Sequence, residues 1–180
     1  MRYTDGPGTR CETHIDAAPQ TVWKLVADIG TPARTSPELQ RVEWLDGADA
    51  PALGARFAGH NRNPVIGEWR TVSEIAELDT ERVFCWAVLD TEGRFGEPAR
   101  TADDALATWR FDLEPAGDGT LLRHSVRLGP GPSGLSRAIE RMPEKEEELL
   151  AGRLAQLHAG MEATLEGIKE LAEGTVTGVL

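Results

Sequence analysis

Cysteine is scarce in this 180-residue sequence: Cys11 and Cys85 are the only two, far apart and without the neighbours of a zinc site or a redox CxxC pair. The spacing supports no metal centre, and a reduced, cytoplasmic chain is the expectation. Positive charge is also short. Nineteen Lys and Arg against 30 Asp and Glu leave a net charge of −11, a field that repels phosphate backbones and argues against a nucleic-acid partner. No stretch reaches 18 apolar residues, so no membrane span is expected, and the polar, Gly-rich Met1–Arg10 has no signal-peptide run. GxSxG, HExxH, GxGxxG and P-loop patterns are missing, so no cofactor is called for. Without a repeat or a composition break, one domain is expected over 10–173, with flexible ends at 1–9 and 174–180.

What remains is the composition of a globular chain, 40% hydrophobic and 27% charged. At this length roughly 70% of the unfolded surface can be buried without disulfides. Cys11, Thr13 and Ile15 alternate with Glu12, His14 and Asp16, the period of a half-buried strand. After Ala18-Pro19, the residues Val22, Trp23, Leu25, Val26 and Ile29 recur at helical spacing until Gly30 and Pro32. A second short helical turn is expected within 31–39. Strands are then expected at 41–46, 56–62, 68–78, 83–89, 106–114 and 121–128, the last two joined by an Ala116-Gly117-Asp118-Gly119 hairpin. Residues 90–104 are polar and rich in turn formers, which predicts a long exposed loop. Finally Leu150, Leu154, Leu157, Met161, Leu165 and Ile168 form one stripe of a long amphipathic helix, split by Pro143 from a shorter turn around Leu135, Ile139 and Met142.

This order predicts an α+β fold: a curved seven-stranded antiparallel sheet wrapped around the C-terminal helix, with one or two short helices after the first strand. One helix cannot fill a strongly curved sheet, so an apolar cavity is expected between them, open to a small hydrophobic molecule. A monomer or weak dimer is expected.

Four segments carry a family resemblance: Ile15-Asp16-Ala17-Ala18-Pro19-Gln20-Thr21-Val22-Trp23, Gly54-Ala55-Arg56-Phe57-Ala58-Gly59-His60-Asn61-Arg62, Val83-Phe84-Cys85-Trp86-Ala87-Val88 and Ala107-Thr108-Trp109-Arg110-Phe111. Together they resemble the bacterial polyketide cyclase/dehydratase-like branch of the START-related SRPBCC superfamily. The resemblance implies the helix-grip fold, shared with the birch pollen allergen and with lipid-transfer domains. It also admits several functions, because the superfamily holds binders, transporters, cyclases and resistance proteins.

Candidate site residues follow from strand phase. His124 lies in phase with Leu122, Val126 and Leu128, which puts an imidazole on the dry face and makes it the candidate general acid or base; a satisfied core histidine is the plainer reading. His60, Asn61 and Arg62 form a polar cluster in which alternation turns Asn61 inward with Phe57 and Gly59, and His60 and Arg62 outward unless Gly59 makes a bulge. With such a bulge, Arg62 would hold an enolate or carboxylate and act with His124. Phe57, His60, Asn61, Trp69, Phe84, Trp86, Trp109, Leu122, Leu157 and Met161 are the expected ligand contacts, while most of the five tryptophans are expected in the core and two or three are shared as cavity walls. Arg70 and Arg110 are expected in solvent.

Two functions follow. One is a carrier, sequestering or self-resistance protein enclosing a lipid or polyketide-like molecule. The other is a cofactor-independent polyketide aromatase/cyclase or dehydratase, which requires His124 and a donor from 60–62 to converge on one point.

Overall fold

Alternating apolar and polar residues form the strands, and the sequence punctuation falls where the elements end. The computed structural model describes residues 1–64 and 67–174. The elements are β1 (Gly8–Ile15), α1 (Pro19–Val26), α2 (Thr31–Thr35), β2 (Leu39–Trp44), β3 (Arg56–Asn63), β4 (Gly67–Asp79), β5 (Val83–Leu89), β6 (Ala107–Ala116), β7 (Gly119–Leu128), α3 (Gly134–Arg141) and α4 (Glu146–Glu173). Proline opens both α1 and α2, where its fixed φ suits the first turn and its missing N–H costs nothing. Glu146, Glu147 and Glu148 occupy the first turn of α4 at the positive end of the helix dipole.

All seven strands form one antiparallel sheet in the order β1-β7-β6-β5-β4-β3-β2, so β1 and β2 are its edges. Register breaks between Leu39 and Arg41 and between Ile75 and Glu77 bend the sheet. The bulge that Gly59 would permit is not there: β3 pairs with β4 without interruption from Arg56–Glu74 to Asn63–Gly67. Gly59 answers a crowding constraint instead, since a Cβ there would lie 2.9 Å from Thr71 Oγ1 and 3.1 Å from Leu39 Cδ1.

The concave face carries Phe57, Ile75, Phe84, Phe111, Leu113 and Leu122, which pack with α1 and with Leu165 and Ile168 of α4 in one core. A second core joins Val126 and Leu128 to Ile139, Leu150, Leu157 and Met161. Helix α4 also closes the β1 edge: Lys169 Nζ donates to the His14 carbonyl at 2.6 Å, and the Asp16 amide donates to Glu173 Oε1 at 2.8 Å. These side chains occupy backbone groups that would otherwise leave the edge free to pair.

Two sequence expectations need correcting. Segment 90–104 is not the wholly exposed loop expected, because Ala99 within it is buried with Ala87, Leu89 and the adjoining Ala105 on the convex face. Asp90 organises it, its carboxylate accepting from the Arg94 and Phe95 amides at 2.9 and 2.7 Å. The N-terminal residues are tied down as well: the Tyr3 hydroxyl donates to the Gly131 carbonyl at 2.7 Å and the Tyr3 amide to Glu146 Oε1 at 2.8 Å. Residues 175–180, where a flexible tail was expected, lie outside the described residues. Among the described residues no helix is long and apolar enough to cross a membrane.

Candidate functional site

Burial changes along the strands of the concave face. Towards α1, Phe57, Ile75, Phe84, Phe111, Leu113 and Leu122 are all buried, and Trp23 meets Phe84 edge-on at 6.3 Å. Towards the other end, the in-phase residues Asn61, Trp69, Thr71, Trp86, Val88, Ala107 and Trp109 are only half-buried. On β7 and α4 burial continues to that end as the second core, with Val126, Leu128, Leu150, Leu157 and Met161 buried and Leu154 half-buried among them. The concavity is therefore plugged towards α1 and open only along its β3–β6 side at the other end, so the space that the helix was expected to leave unfilled is confined there. The plug is made of the inward residues of β3–β7 closest to α1.

His124 stands between the two ends. It is 4% exposed and stacks on Phe111 with ring centroids 4.1 Å apart, while Trp109 and Trp86 lie at 5.4 and 6.2 Å. Trp86 and Trp109, cross-strand partners, stack nearly parallel at 6.1 Å. Neither ring nitrogen of His124 has a hydrogen-bond partner. Burial alone drives its pKa down to about 3, so the imidazole is neutral at pH 7 and presents one donor and one acceptor. A buried polar group without a partner costs about 1–3 kcal/mol of stability, an expense that a ligand group bonded to it would recover.

The remaining candidates separate by face. Asn61, Trp69, Trp86 and Trp109 line the open end, and Leu157 and Met161 stand across from the sheet on α4 within the second core. Phe57, Phe84 and Leu122 belong to the plugged end. His60 and Arg62 are corrected outright. With β3 regular, both point to the convex side, where His60 Nε2 meets Glu43 Oε1 at 2.9 Å and Arg41 at 3.0 Å and Arg62 is exposed. Nor do Asn61 and His124 adjoin: three strands separate β3 from β7, a path of roughly 19 Å along the sheet. Arg110, expected in solvent, is half-buried and held by Glu77 and Asp112. Thr71 and Val88 were missed by sequence reasoning, although the phase of Trp69 and Trp86 points to them.

The cysteines offer no ready nucleophile. Burial raises the Cys11 thiol to about 11, with Glu162 adding to the effect, and burial also raises that of Cys85. Two surface clefts lie elsewhere: one of about 380 Å³ among Asp90, Glu97, Arg100, Asp104 and Pro132, and one of about 460 Å³ between Gly8-Thr9 and the Leu154–Glu162 stretch of α4.

Known proteins place this architecture. The polyketide cyclase-like protein Cgl2372 of Corynebacterium glutamicum is 26% identical, with 96% of this chain and 94% of that one covered at a TM-score of 0.61. The Zhui aromatase/cyclase of Streptomyces sp. R1128 is 16% identical, with 96% of both chains covered at a TM-score of 0.63. Ara h 8.0201 is 13% identical, with 93% of this chain and 98% of that one covered at 0.56. The last two likenesses are of fold, the helix-grip arrangement of sheet and C-terminal helix. No curated protein sequence matches. The model of the family described as polyketide cyclase/dehydrase and lipid transport matches residues 9–173, and with nearly all of its folded length inside that match, the chain belongs to this family within the SRPBCC superfamily.

Proposed function

We propose that the open end of the concave face binds one small hydrophobic molecule, lipid or polyketide-like, and that the protein works as a carrier or sequestering protein. The observation that carries the reading is His124, a neutral imidazole with both nitrogens unpartnered, set among Phe111, Trp109 and Trp86 at the boundary between plug and opening. The half-buried tryptophans supply apolar contact at roughly 25 cal/mol per Å² removed from water, and His124 fixes one polar group of the guest. Family membership supports the same reading. Self-resistance, in which a cell masks its own toxic metabolite, is a special case of it.

Binding is favoured over aromatase/cyclase chemistry by two features. A histidine with a pKa of about 3 is a weak base and is not protonated at pH 7, so it neither takes up nor delivers a proton readily. Arg62, the partner such a mechanism would use, is on the convex side.

Native mass spectrometry of freshly expressed protein, before and after incubation with the apolar dye 1-anilinonaphthalene-8-sulfonate, tests the proposal. The expected result is a one-to-one adduct, carried from the cell or formed with the dye, that is lost on denaturation. A protein that keeps its bare mass under both conditions would overturn it.

A further inference from the structure

The segment between α1 and β2 crosses from the helix to the far edge of the sheet, and its contacts with α4 fall at a regular spacing. Thr35 packs on Gly167, where a Cβ would lie 2.6 Å from Thr35 Cγ2; Pro37 Cγ is 4.0 Å from the Cβ position of Gly160; and Glu38 Oε1 meets Arg153 at 3.5 Å. Positions 167, 160 and 153 are seven apart, two helical turns each, so residues 35–38 run along one stripe of α4. The strap then enters β2 at Leu39, paired with Asn61 at the open end of the concave face.

Its two ends are held differently. At the α2 end Thr31 is fully buried, the Thr35 hydroxyl donates to the Thr31 carbonyl at 3.0 Å, and the Gly167 contact leaves no slack. At the other end Glu38 is fastened to the sheet: its carbonyl accepts from the Arg62 amide at 2.9 Å and its carboxylate from Asn63 Nδ2 at 2.8 Å. Towards the helix, the same carboxylate faces Arg153 in an ion pair whose side chains are 27% and 24% exposed. Such a partly exposed pair contributes little and is screened by salt only in part.

We infer that the Glu38–Arg153 pair is a latch across the mouth of the open end, with the Thr35–Gly167 contact as the fixed point about which strap and helix part to admit or release a guest. The inference rests on the binding proposed above. It assigns the pair a kinetic role: breaking it speeds passage both ways and leaves the affinity of the groove alone, because neither side chain belongs to the aromatic lining.

Stopped-flow fluorescence with 1-anilinonaphthalene-8-sulfonate tests this on the full chain. Glu38→Gln and Arg153→Met should each raise the association and dissociation rates about two- to fivefold, the span of a partly exposed ion pair. The equilibrium constant should stay within about twofold, and the wild-type rates should rise with added salt while those of the variants do not. A Pro37→Cys/Gly160→Cys protein, joined where Pro37 Cγ lies 4.0 Å from the Cβ position of Gly160, should exchange the dye more slowly when oxidised and recover with reductant. Should that disulfide fail to form, the ion-pair variants decide alone. Wild-type and variant rates that coincide at all salt concentrations would overturn the latch even if the dye binds. Dye that leaves Trp86 and Trp109 unperturbed would instead overturn the binding proposal.

Discussion

The two ends of the concave face are built from the same strands and differ in almost everything else. Towards α1, inward side chains interlock with one another and with the C-terminal half of α4. Towards Asn61 and Trp69 the same strands keep half-buried aromatics and an ion pair to the helix, and at the boundary between the ends stands His124, an imidazole without a partner. Tight packing thus holds the α1 end and, through the core of Val126, Leu128, Leu150, Leu157 and Met161, the β7 side of the other end, which leaves the half-buried β3–β6 side free to hold groups that a well-packed core would not tolerate. A fold that separates the two along the strand axis can vary its guest without rebuilding its core.

Substitutions sort along this axis. Phe111→Ala at the plug, 1% exposed in the native state, should cost about 3–5 kcal/mol in urea unfolding. Trp109→Ala, a larger deletion at the half-buried end, should cost about 1–2 kcal/mol and abolish dye binding; a cost equal to that of Phe111→Ala would erase the distinction between the ends. His124→Leu should have the opposite sign, stabilising the protein by about 1–3 kcal/mol at pH 7 while weakening the binding of guests with a polar group, since the unpartnered ring is removed.

The same variant sharpens the pH dependence. The folded pKa of His124 is depressed to about 3 from an ordinary 6.5, so the unfolded chain binds a proton that the folded chain refuses. Stability from this source is complete above pH 6.5 and falls as pH drops towards 3, by about 2 kcal/mol at pH 5. His124→Leu should remove that increment, read as the wild-type-minus-variant difference in unfolding free energy at pH 7 and pH 5. Smallest of all, Arg110→Gln on the convex face should cost at most about 1 kcal/mol and less at high salt, because Arg110 pairs with Glu77 and Asp112 at a half-exposed surface.

Much of this architecture was legible because period-two alternation and turn chemistry are local. Trp109, Phe111 and Leu113, the Gly117-Asp118 turn, and the in-phase His124 identify β6, β7 and their inward face from sequence alone. The difference between the ends was not legible, because strand phase tells which face a residue takes and not what covers it. Trp86 and Phe84 read alike in sequence, yet only Phe84 meets Trp23 of α1 edge-on. The strap escaped notice for the same reason, its contacts with Gly160 and Gly167 being tertiary. Segment 90–105 misled because its few alanines are what the convex face needs, small side chains lying flat on Ala87 and Leu89 under a backbone organised by Asp90. His60 and Arg62 depended on a bulge that the sheet places elsewhere, at Leu39/Arg41 and Ile75/Glu77.

The five tryptophans report on both ends at once, since Trp23 and Trp44 pack in the plug and Trp69, Trp86 and Trp109 face the opening. Titrating isotope-labelled protein with 1-anilinonaphthalene-8-sulfonate while following the indole N–H resonances is therefore the most direct measurement. The account predicts that the signals of Trp69, Trp86 and Trp109 move together to saturation at one equivalent while those of Trp23 and Trp44 stay in place. Shifts of equal size at all five, or none at the open end, would contradict it.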